Sequence, residues 1–125
     1  MDTALDRTSH RSAYVMLSLL LLAAIVLEVV KHGTGWWQAA GFWALPDLAL
    51  LYGVAGGLAK GQLHPRAVPL YNLAHRFWLP AGLLVAATFV LPFGFFVGGL
   101  AWAFHIALDR ALGYGLRTPD GFQRR

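Results

Sequence analysis

At 125 residues the chain has room for one domain, and 58% of its residues are hydrophobic while only 13% are charged. Soluble domains carry about 25% charged residues, so this composition excludes an ordinary soluble globule, and it excludes a disordered chain because such chains are poor in apolar residues. The lack of cysteine excludes a disulfide scaffold.

Four apolar segments follow in chain order, each of about 18 to 24 residues, the length that a helix needs to cross a bilayer. They cover residues 13–30, 36–59, 67–90 and 92–113, with connectors at 31–35 and 60–66 and a turn at 91–94. The first segment is predicted to be a retained anchor, because Glu28-Val-Val-Lys-His stands where a signal peptide would have small cleavage-site residues. The pattern predicts an all-α integral membrane protein, a four-helix bundle in the lipid bilayer.

The basic residues predict how this bundle is oriented. Most of them stand at the two ends and in the second connector: Arg7, Arg11, Lys60, Arg66, Arg110, Arg117, Arg124 and Arg125. The opposite side has only Lys31. Because Lys and Arg accumulate on the cytoplasmic side, both termini are expected to be cytoplasmic, with tails at 1–12 and 117–125 around a membrane domain at 13–116. No nucleic-acid-binding motif accompanies the net charge of +4, so we expect no nucleic acid as a partner.

Ionisable side chains interrupt the predicted spans, where each costs about 2.5 to 3.5 kcal/mol to insert. They are Glu28, Asp47, His75, His105 and Asp109. His105 and Asp109 are four residues apart and therefore share a helix face. Counting residues from the cytoplasmic end of each helix, at about 1.5 Å per residue, places Asp47, His75, His105 and Asp109 in one layer. Glu28 lies further toward the outer side. We expect the four to converge, with Glu28 as a more distant member.

Two prolines lie close to this layer. Pro46 frees the backbone carbonyl of Phe42, and Pro80 frees that of Arg76, because proline has no N–H to donate. Broken helical hydrogen bonding is tolerated in a membrane where neighbouring groups or a lined cavity satisfy it. Proline is also more frequent in membrane helices than in soluble ones, so both explanations stay open.

Neutral imidazoles and carboxylates are ligands of Zn, Mn and Fe, and this residue set predicts a site for a divalent transition metal. The predicted ligands are His75, His105 and Asp109, with Asp47 as a fourth ligand or the general base, and Glu28 as a distant acid or structural partner. A metal held there would polarise a carbonyl or phosphoryl oxygen, or activate water. The sequence therefore predicts a membrane hydrolase that acts on a lipid-like substrate.

Supporting groups are predicted around these ligands, and other interpretations stay open. Asn72 is expected to orient His75, and Arg110 lies beside Asp109.

A purely structural cluster would fix helix packing, although interhelical polar contacts average only about 0.6 kcal/mol. His75 and His105, at matching depth, would also suit a bis-imidazole haem subunit. A transporter built from four short helices would need a homodimer to enclose a path.

Three motifs carry a resemblance to a known family. They are Leu45-Pro-Asp-Leu48, Tyr71-Asn-Leu-Ala-His75 and His105-Ile-Ala-Leu-Asp-Arg-Ala-Leu-Gly-Tyr-Gly-Leu116, the last followed by Thr118-Pro-Asp-Gly-Phe122. Together they resemble the bacterial membrane family called domain of unknown function 4260, from about Leu27 to Phe122, with Glu28 where that family carries a glutamate. The resemblance implies a multi-pass, four-helix protein of the bacterial inner (plasma) membrane, and it implies no established activity. The connector at 60–66 is longer than the family pattern.

The order of the polar residues along the chain is also similar to that of membrane-embedded metal-dependent hydrolases. Those enzymes present an early Asp, a central His, and a late His with an Asp one turn on, an order matched here by Asp47, His75, His105 and Asp109. The similarity rests on these four residues alone and implies the same class of chemistry.

Overall fold

The computed structural model describes the backbone of residues 4–124 and the side chains of residues 10–124. Every regular element in this part of the chain is a helix, so the all-α prediction is confirmed. The helices are α1 (Ala4–His32), α2 (Trp36–Ala44), α3 (Leu48–Tyr52), α4 (Val68–Ala74), α5 (Trp78–Phe89) and α6 (Phe93–Ala111), and two 3-10 turns cover Leu45–Asp47 and Pro65–Ala67.

One stretch within α1, His10–His32, is the only described helix that is long and apolar enough to cross a membrane. It contains the first predicted span, and α1 also includes residues 4–12, which the sequence assigned to a tail. Large apolar side chains of α1 are exposed, among them Leu27 and Val30 at 67% and 75%. The side chains of Arg7 and Arg125, used above to predict orientation, lie outside the described residues.

The second and third predicted spans are not continuous helices, which corrects the simple four-span picture. In residues 36–59 the chain leaves α2 for a 3-10 turn at Pro46, and α3 ends at Tyr52. Residues 67–90 are divided by a non-helical break at 75–77 between α4 and α5. Proline lacks an N–H and its ring excludes the carbonyl of the preceding turn, so each break lies close to a proline. Helix α5 has 12 residues and covers about 18 Å.

Helix α6 is the centre of the fold, and α1, α2 and α5 pack around it. Helix α1 runs antiparallel to α6, because Arg11 Nε donates to the Ala111 carbonyl at one end, 3.0 Å away. At the other end the His32 ring stacks on Phe93 with centroids 3.8 Å apart. The apolar core between these helices contains Ile25, Val97 and Leu100. The two ends of the described chain therefore lie at the same end of the bundle.

A smaller core lies at that end, beneath the carboxyl-terminal segment. Buried residues from the second connector and α4 form it, including Leu63, Ala67 and Tyr71. The chain after α6 folds back over them, with an antiparallel bridge between Arg117 and Gln123. The Leu63 N–H donates to the Gly121 carbonyl at 3.0 Å, which ties the connector to this segment. Residues 117–123, predicted as a tail, thus cover one end of the bundle.

Candidate metal centre

Four side chains from three parts of the chain converge at this end of the bundle. Asp47 closes the 3-10 turn after α2, His75 follows α4 directly, and His105 and Asp109 stand one turn apart on α6. Each offers one ligand atom, and these four atoms lie within 4.8 Å of one another. The four residues that the sequence placed in one layer are therefore brought together.

The distances within the cluster join each imidazole to both carboxylates. His75 Nε2 lies 3.3 Å from Asp47 Oδ1 and 3.5 Å from Asp109 Oδ2. His105 Nε2 lies 3.3 Å from the same atom of each aspartate. Ligands at about 2.0–2.2 Å from a tetrahedral zinc ion stand about 3.3–3.6 Å apart, and the four N–O separations lie in that range.

Both Nε2 atoms are buried, and although carboxylate oxygens lie 3.3–3.5 Å away, none of the described residues meets them with good hydrogen-bond geometry. Each histidine side chain is 3% exposed, so water does not replace the missing partner at low cost. A buried nitrogen without a partner costs about 1–3 kcal/mol. Since a metal ion would use both lone pairs at once, these nitrogens fit metal ligands better than members of a closed hydrogen-bonded cluster.

The backbone of α4 sets the orientation of His75. Its Nδ1 lies 2.8 Å from the carbonyl oxygen of Tyr71, one turn earlier. Because a carbonyl only accepts, Nδ1 carries the proton and Nε2 presents its lone pair to the cluster. The Tyr71 ring also stacks on the imidazole, with centroids 3.9 Å apart and planes 19° apart. His105 is packed differently, with its ring edge-on against Trp43 at a centroid distance of 5.4 Å.

The break after α4 leaves carbonyl groups without helical partners, and side chains of α6 satisfy two of them. Trp102 Nε1 donates to the Ala74 carbonyl at 2.8 Å. Arg110 Nη2 donates to the His75 carbonyl at 3.3 Å, and its Nη1 donates to the Tyr14 hydroxyl at 3.0 Å. Unpaired buried carbonyls would oppose such a break. Arg110 thus contacts the backbone of a cluster residue and not its imidazole.

Asn72 does not orient His75, which corrects that prediction. Its Nδ2 donates to the Arg117 carbonyl at 3.0 Å, and its Oδ1 accepts from the Arg117 N–H at 2.8 Å. Asn72 and His75 are three residues apart, so their side chains point about 60° apart around the helix axis. This difference is enough to direct Asn72 to the carboxyl-terminal segment and not to the imidazole. Gln123 Nε2 donates to the Tyr71 hydroxyl at 3.1 Å, so this segment is held to α4 at two points.

Glu28 lies far from the cluster, which corrects its assignment as a catalytic candidate. It pairs with His32, one turn away, at 3.4 Å. His32 stacks on Phe93, the first residue of α6, whereas His105 stands twelve residues further along that helix. At about 1.5 Å per residue this corresponds to about 18 Å. Helices α1 and α6 are antiparallel, so a residue late in α1 meets the beginning of α6.

A cavity of about 470 Å³ opens beside the cluster. Its lining includes Asp47, Asp109, Lys60, Tyr71 and Arg117. The Asp47 side chain is 48% exposed and that of Asp109 26%. The two carboxylates therefore face a space that a small molecule can enter, while the two buried imidazoles lie behind them and do not line it.

The sequence of residues 14–125, which contains all four cluster residues, matches the family described as Domain of unknown function (DUF4260). The chain belongs to the DUF4260 family. This confirms the resemblance noted from its motifs. No curated protein and no solved structure matches the chain. A function for this DUF4260 chain is therefore argued from the geometry of its own site.

Sequence reasoning missed several residues that build the site in this DUF4260 chain. Tyr71 stands four residues before His75, and this spacing places both side chains on one helix face. Their contact could therefore have been predicted. Trp102 carried no comparable signal, because its partner is a carbonyl that only the break after α4 exposes. The contacts of Gln123 and Arg117 depend on how the carboxyl-terminal segment folds back, and no spacing in the sequence encodes that.

Proposed function

We propose that this DUF4260 chain is a metal-dependent membrane hydrolase, in which His75, His105 and Asp109 hold a divalent transition metal and Asp47 is the general base. One observation carries the proposal: two buried imidazole nitrogens without hydrogen-bond partners point at two carboxylates beside an open cavity. Two imidazoles with a carboxylate are a ligand set of catalytic zinc sites. Zn, Mn and Fe all accept imidazole and carboxylate ligands, so elemental analysis identifies which of them is bound.

Asp47 is assigned a role different from that of Asp109 because of where it stands. Four protein ligands close a tetrahedral site, whereas a catalytic site keeps one position open. Asp47 is the more exposed of the two carboxylates and lines the cavity, so it suits a group that accepts a proton from water. Asp109 shares α6 with His105 and is the more enclosed of the pair. When bound, the metal supplies a Lewis acid that polarises the substrate and lowers the pKa of water.

A lipid-like substrate and a bilayer as partner suit the exposed apolar surface. Soluble proteins rarely leave large apolar patches uncovered, yet α1 presents Met16, Leu20 and Leu27 at 60–67% exposure. Helix α2 runs parallel to α6, and α1 and α5 run antiparallel to it, the alternation expected of a multi-pass bundle. We extend the proposal to a bacterial inner-membrane protein with both termini cytoplasmic, whose cavity opens at the cytoplasmic end.

The cluster geometry disfavours haem. A bis-histidine haem places its two imidazoles on opposite faces of a porphyrin. Here the same two carboxylate oxygens lie 3.3–3.5 Å from both Nε2 atoms, in the space that the ring would occupy. A structural cluster remains the competing explanation, and it predicts that substitutions reduce stability without changing metal content.

Metal content tests the proposal directly. We expect protein purified in detergent to contain about one equivalent of a transition metal by elemental mass spectrometry, because four potential ligand atoms converge within 4.8 Å. His75→Ala and His105→Ala should each remove it, since either change deletes a ligand. His32→Ala is the matched control, because His32 lies at the opposite end of α6. Metal-free wild-type protein that folds normally would refute the proposal.

The role of Asp47 has a separate test. Asp47→Asn should keep the metal but abolish hydrolysis of a long-chain fluorogenic ester or phosphodiester, since the amide cannot accept the proton. Asp109→Asn should lower metal affinity by about tenfold or more, because it removes the charge of a ligand. If Asp47→Asn loses the metal and Asp109→Asn keeps it, the two assignments are reversed and this part of the proposal is wrong.

A further inference from the structure

A second cavity, of about 500 Å³, borders the same carboxyl-terminal segment. Four basic residues line it: His10, Arg11, Arg110 and Arg124. No acidic side chain is among its described lining residues. It shares Tyr114 and Gln123 with the cavity beside the cluster, but none of the cluster residues lines it. Three arginines, from α1, α6 and the carboxyl-terminal segment, therefore line one space.

Two of these arginines are held in place before any ligand arrives. Arg11 Nε donates to the Ala111 carbonyl at 3.0 Å. Arg110 donates to the Tyr14 hydroxyl and to the His75 carbonyl, and its guanidinium lies 5.0 Å from the centroid of the Phe77 ring. A guanidinium has five N–H donors, so these contacts orient both side chains without using every donor on described partners. Positioned arginines lose less conformational entropy when they bind an anion.

Bringing three positive side chains together is unfavourable unless an anion compensates for it. The planar fork of arginine matches the oxygen geometry of phosphate, which it binds with two parallel hydrogen bonds. The cavity also stands where the apolar stretch His10–His32 begins, and exposed Val15 and Met16 follow its lining residue Tyr14 along α1. If a lipid phosphate were bound in this cavity, its attached hydrocarbon chains would lie against the apolar surface of α1.

We propose that the cavity lined by His10, Arg11, Arg110 and Arg124 binds a phosphate group, either free or as the headgroup of an anionic phospholipid. This site is distinct from the His/Asp cluster and does not depend on the metal. It is connected to the cluster through Arg110, whose Nη2 holds the His75 carbonyl.

Two probes and three variants test the site. Inorganic phosphate is titrated into protein in a neutral detergent, and phosphatidic acid is offered in phosphatidylcholine nanodiscs, with retention measured by native mass spectrometry. Arg11→Gln and Arg124→Gln remove one guanidinium each. Arg76→Gln is the matched control, since Arg76 is exposed, follows His75, and does not line the cavity. Metal content is measured on every sample, so that loss of the metal site is seen separately.

The expected result is binding of at least one probe by the wild type, weakened about tenfold or more in Arg11→Gln and Arg124→Gln. Arg76→Gln should change it by about twofold or less. Binding of inorganic phosphate identifies the free group as sufficient, and binding of phosphatidic acid alone identifies the lipid headgroup. If Arg11→Gln fails to fold, Arg124→Gln decides, because the described bonds of Arg124 involve only its backbone. Binding of neither probe, or an equal loss in Arg76→Gln, would overturn the proposal.

Discussion

At the level of single side chains, the site depends on backbone carbonyls that the broken helices expose. The Tyr71 carbonyl fixes the tautomer of His75, and the Ala74 and His75 carbonyls accept from Trp102 and Arg110. The Ala74 and His75 contacts replace hydrogen bonds that a continuous helix would have made, whereas the Tyr71 carbonyl also keeps its helical bond from the His75 N–H at 3.0 Å. The irregular backbone between α4 and α5 is therefore held by α6, the same helix that supplies His105 and Asp109.

Trp102→Phe tests this account of the break. The substitution keeps an aromatic ring but leaves the Ala74 carbonyl without its donor, so we expect a loss of about 1–3 kcal/mol in unfolding free energy. Thermal unfolding in detergent measures it. Trp36→Phe is the control, since Trp36 is 70% exposed and should change stability little. Equal stability of the two variants would show that the contact contributes nothing.

Asn72→Ala tests whether Asn72 holds the carboxyl-terminal segment to α4 or orients His75. The variant loses both hydrogen bonds to the Arg117 backbone, so residues 114–124 should exchange amide hydrogens faster, by about tenfold. The metal content should stay at the wild-type value, because Asn72 does not contact His75. Hydrogen exchange and elemental analysis on one preparation give both readouts. Loss of metal with unchanged protection of 114–124 would restore the original prediction.

The convergence of Asp47, His75, His105 and Asp109 could be predicted because charge burial in an apolar segment is costly and their depths agreed. Glu28 is also an ionisable residue in an apolar segment, but its position along the helix already placed it farther toward the outer side. The partner of Asn72 could not be predicted, since a spacing of three residues allows either contact. Spacing along a helix identifies neighbours on that helix, but contacts with a folded-back segment depend on tertiary structure.

Among the helices, α6 is packed closely enough that small residues are needed on its surface. A Cβ added at Gly98 would stand 2.5 Å from Phe42 Cδ2, and one at Gly99 would stand 2.8 Å from Leu84 Cγ. Adjacent glycines therefore admit α2 on one side and α5 on the other. Small residues allow this approach, which gives helices in a membrane their packing energy.

Gly98→Ala should destabilise the bundle by about 1–3 kcal/mol, because the new methyl group overlaps the Phe42 ring. Gly82→Ala on α5 is the matched control. No atom lies within 4 Å of a Cβ at that position, so the change should be neutral or stabilising by about 0.4–1 kcal/mol. Gly98→Ala should lower the midpoint of thermal unfolding, whereas Gly82→Ala should leave it unchanged or raise it. A shift of the same sign and size in both would contradict the packing described for α6.

Hydropathy predicted where the helical segments lie but not where they break. It placed both ends of α6 and the end of α1 within two residues, since neither helix has a proline inside, but it began α1 nine residues too late. It extended the second segment to residue 59, because glycine-rich apolar sequence scores as a span although glycine favours turns. Gly57 and Gly61, with φ of +77° and +78°, turn the chain in this stretch.

For the whole molecule, the arrangement of helices brings the chemistry to one end. The cluster, its cavity and the basic cavity all lie where α6 ends and the described chain begins. The opposite end holds the stacked rings of His32 and Phe93. The grouping of the cluster and both cavities at one end suits a protein that meets its substrate from one side.

Cysteine labelling tests the proposed membrane topology. The chain has no cysteine, so Lys31→Cys and Lys60→Cys each introduce a unique thiol at an exposed position. In intact cells a membrane-impermeant maleimide should label the first, and it should label the second only after permeabilisation, because the predicted topology puts them on opposite sides. Labelling of both thiols from the same side would contradict a multi-pass arrangement.

Anomalous X-ray diffraction from crystals of the purified protein, collected at the absorption edge of the metal found, is the most direct test of the metal centre. The cluster geometry predicts one anomalous peak between the two imidazoles, about 2.0–2.2 Å from His75 Nε2, His105 Nε2 and an Asp109 oxygen. The absence of a peak there, or a peak beside Glu28 and His32 instead, would contradict the account.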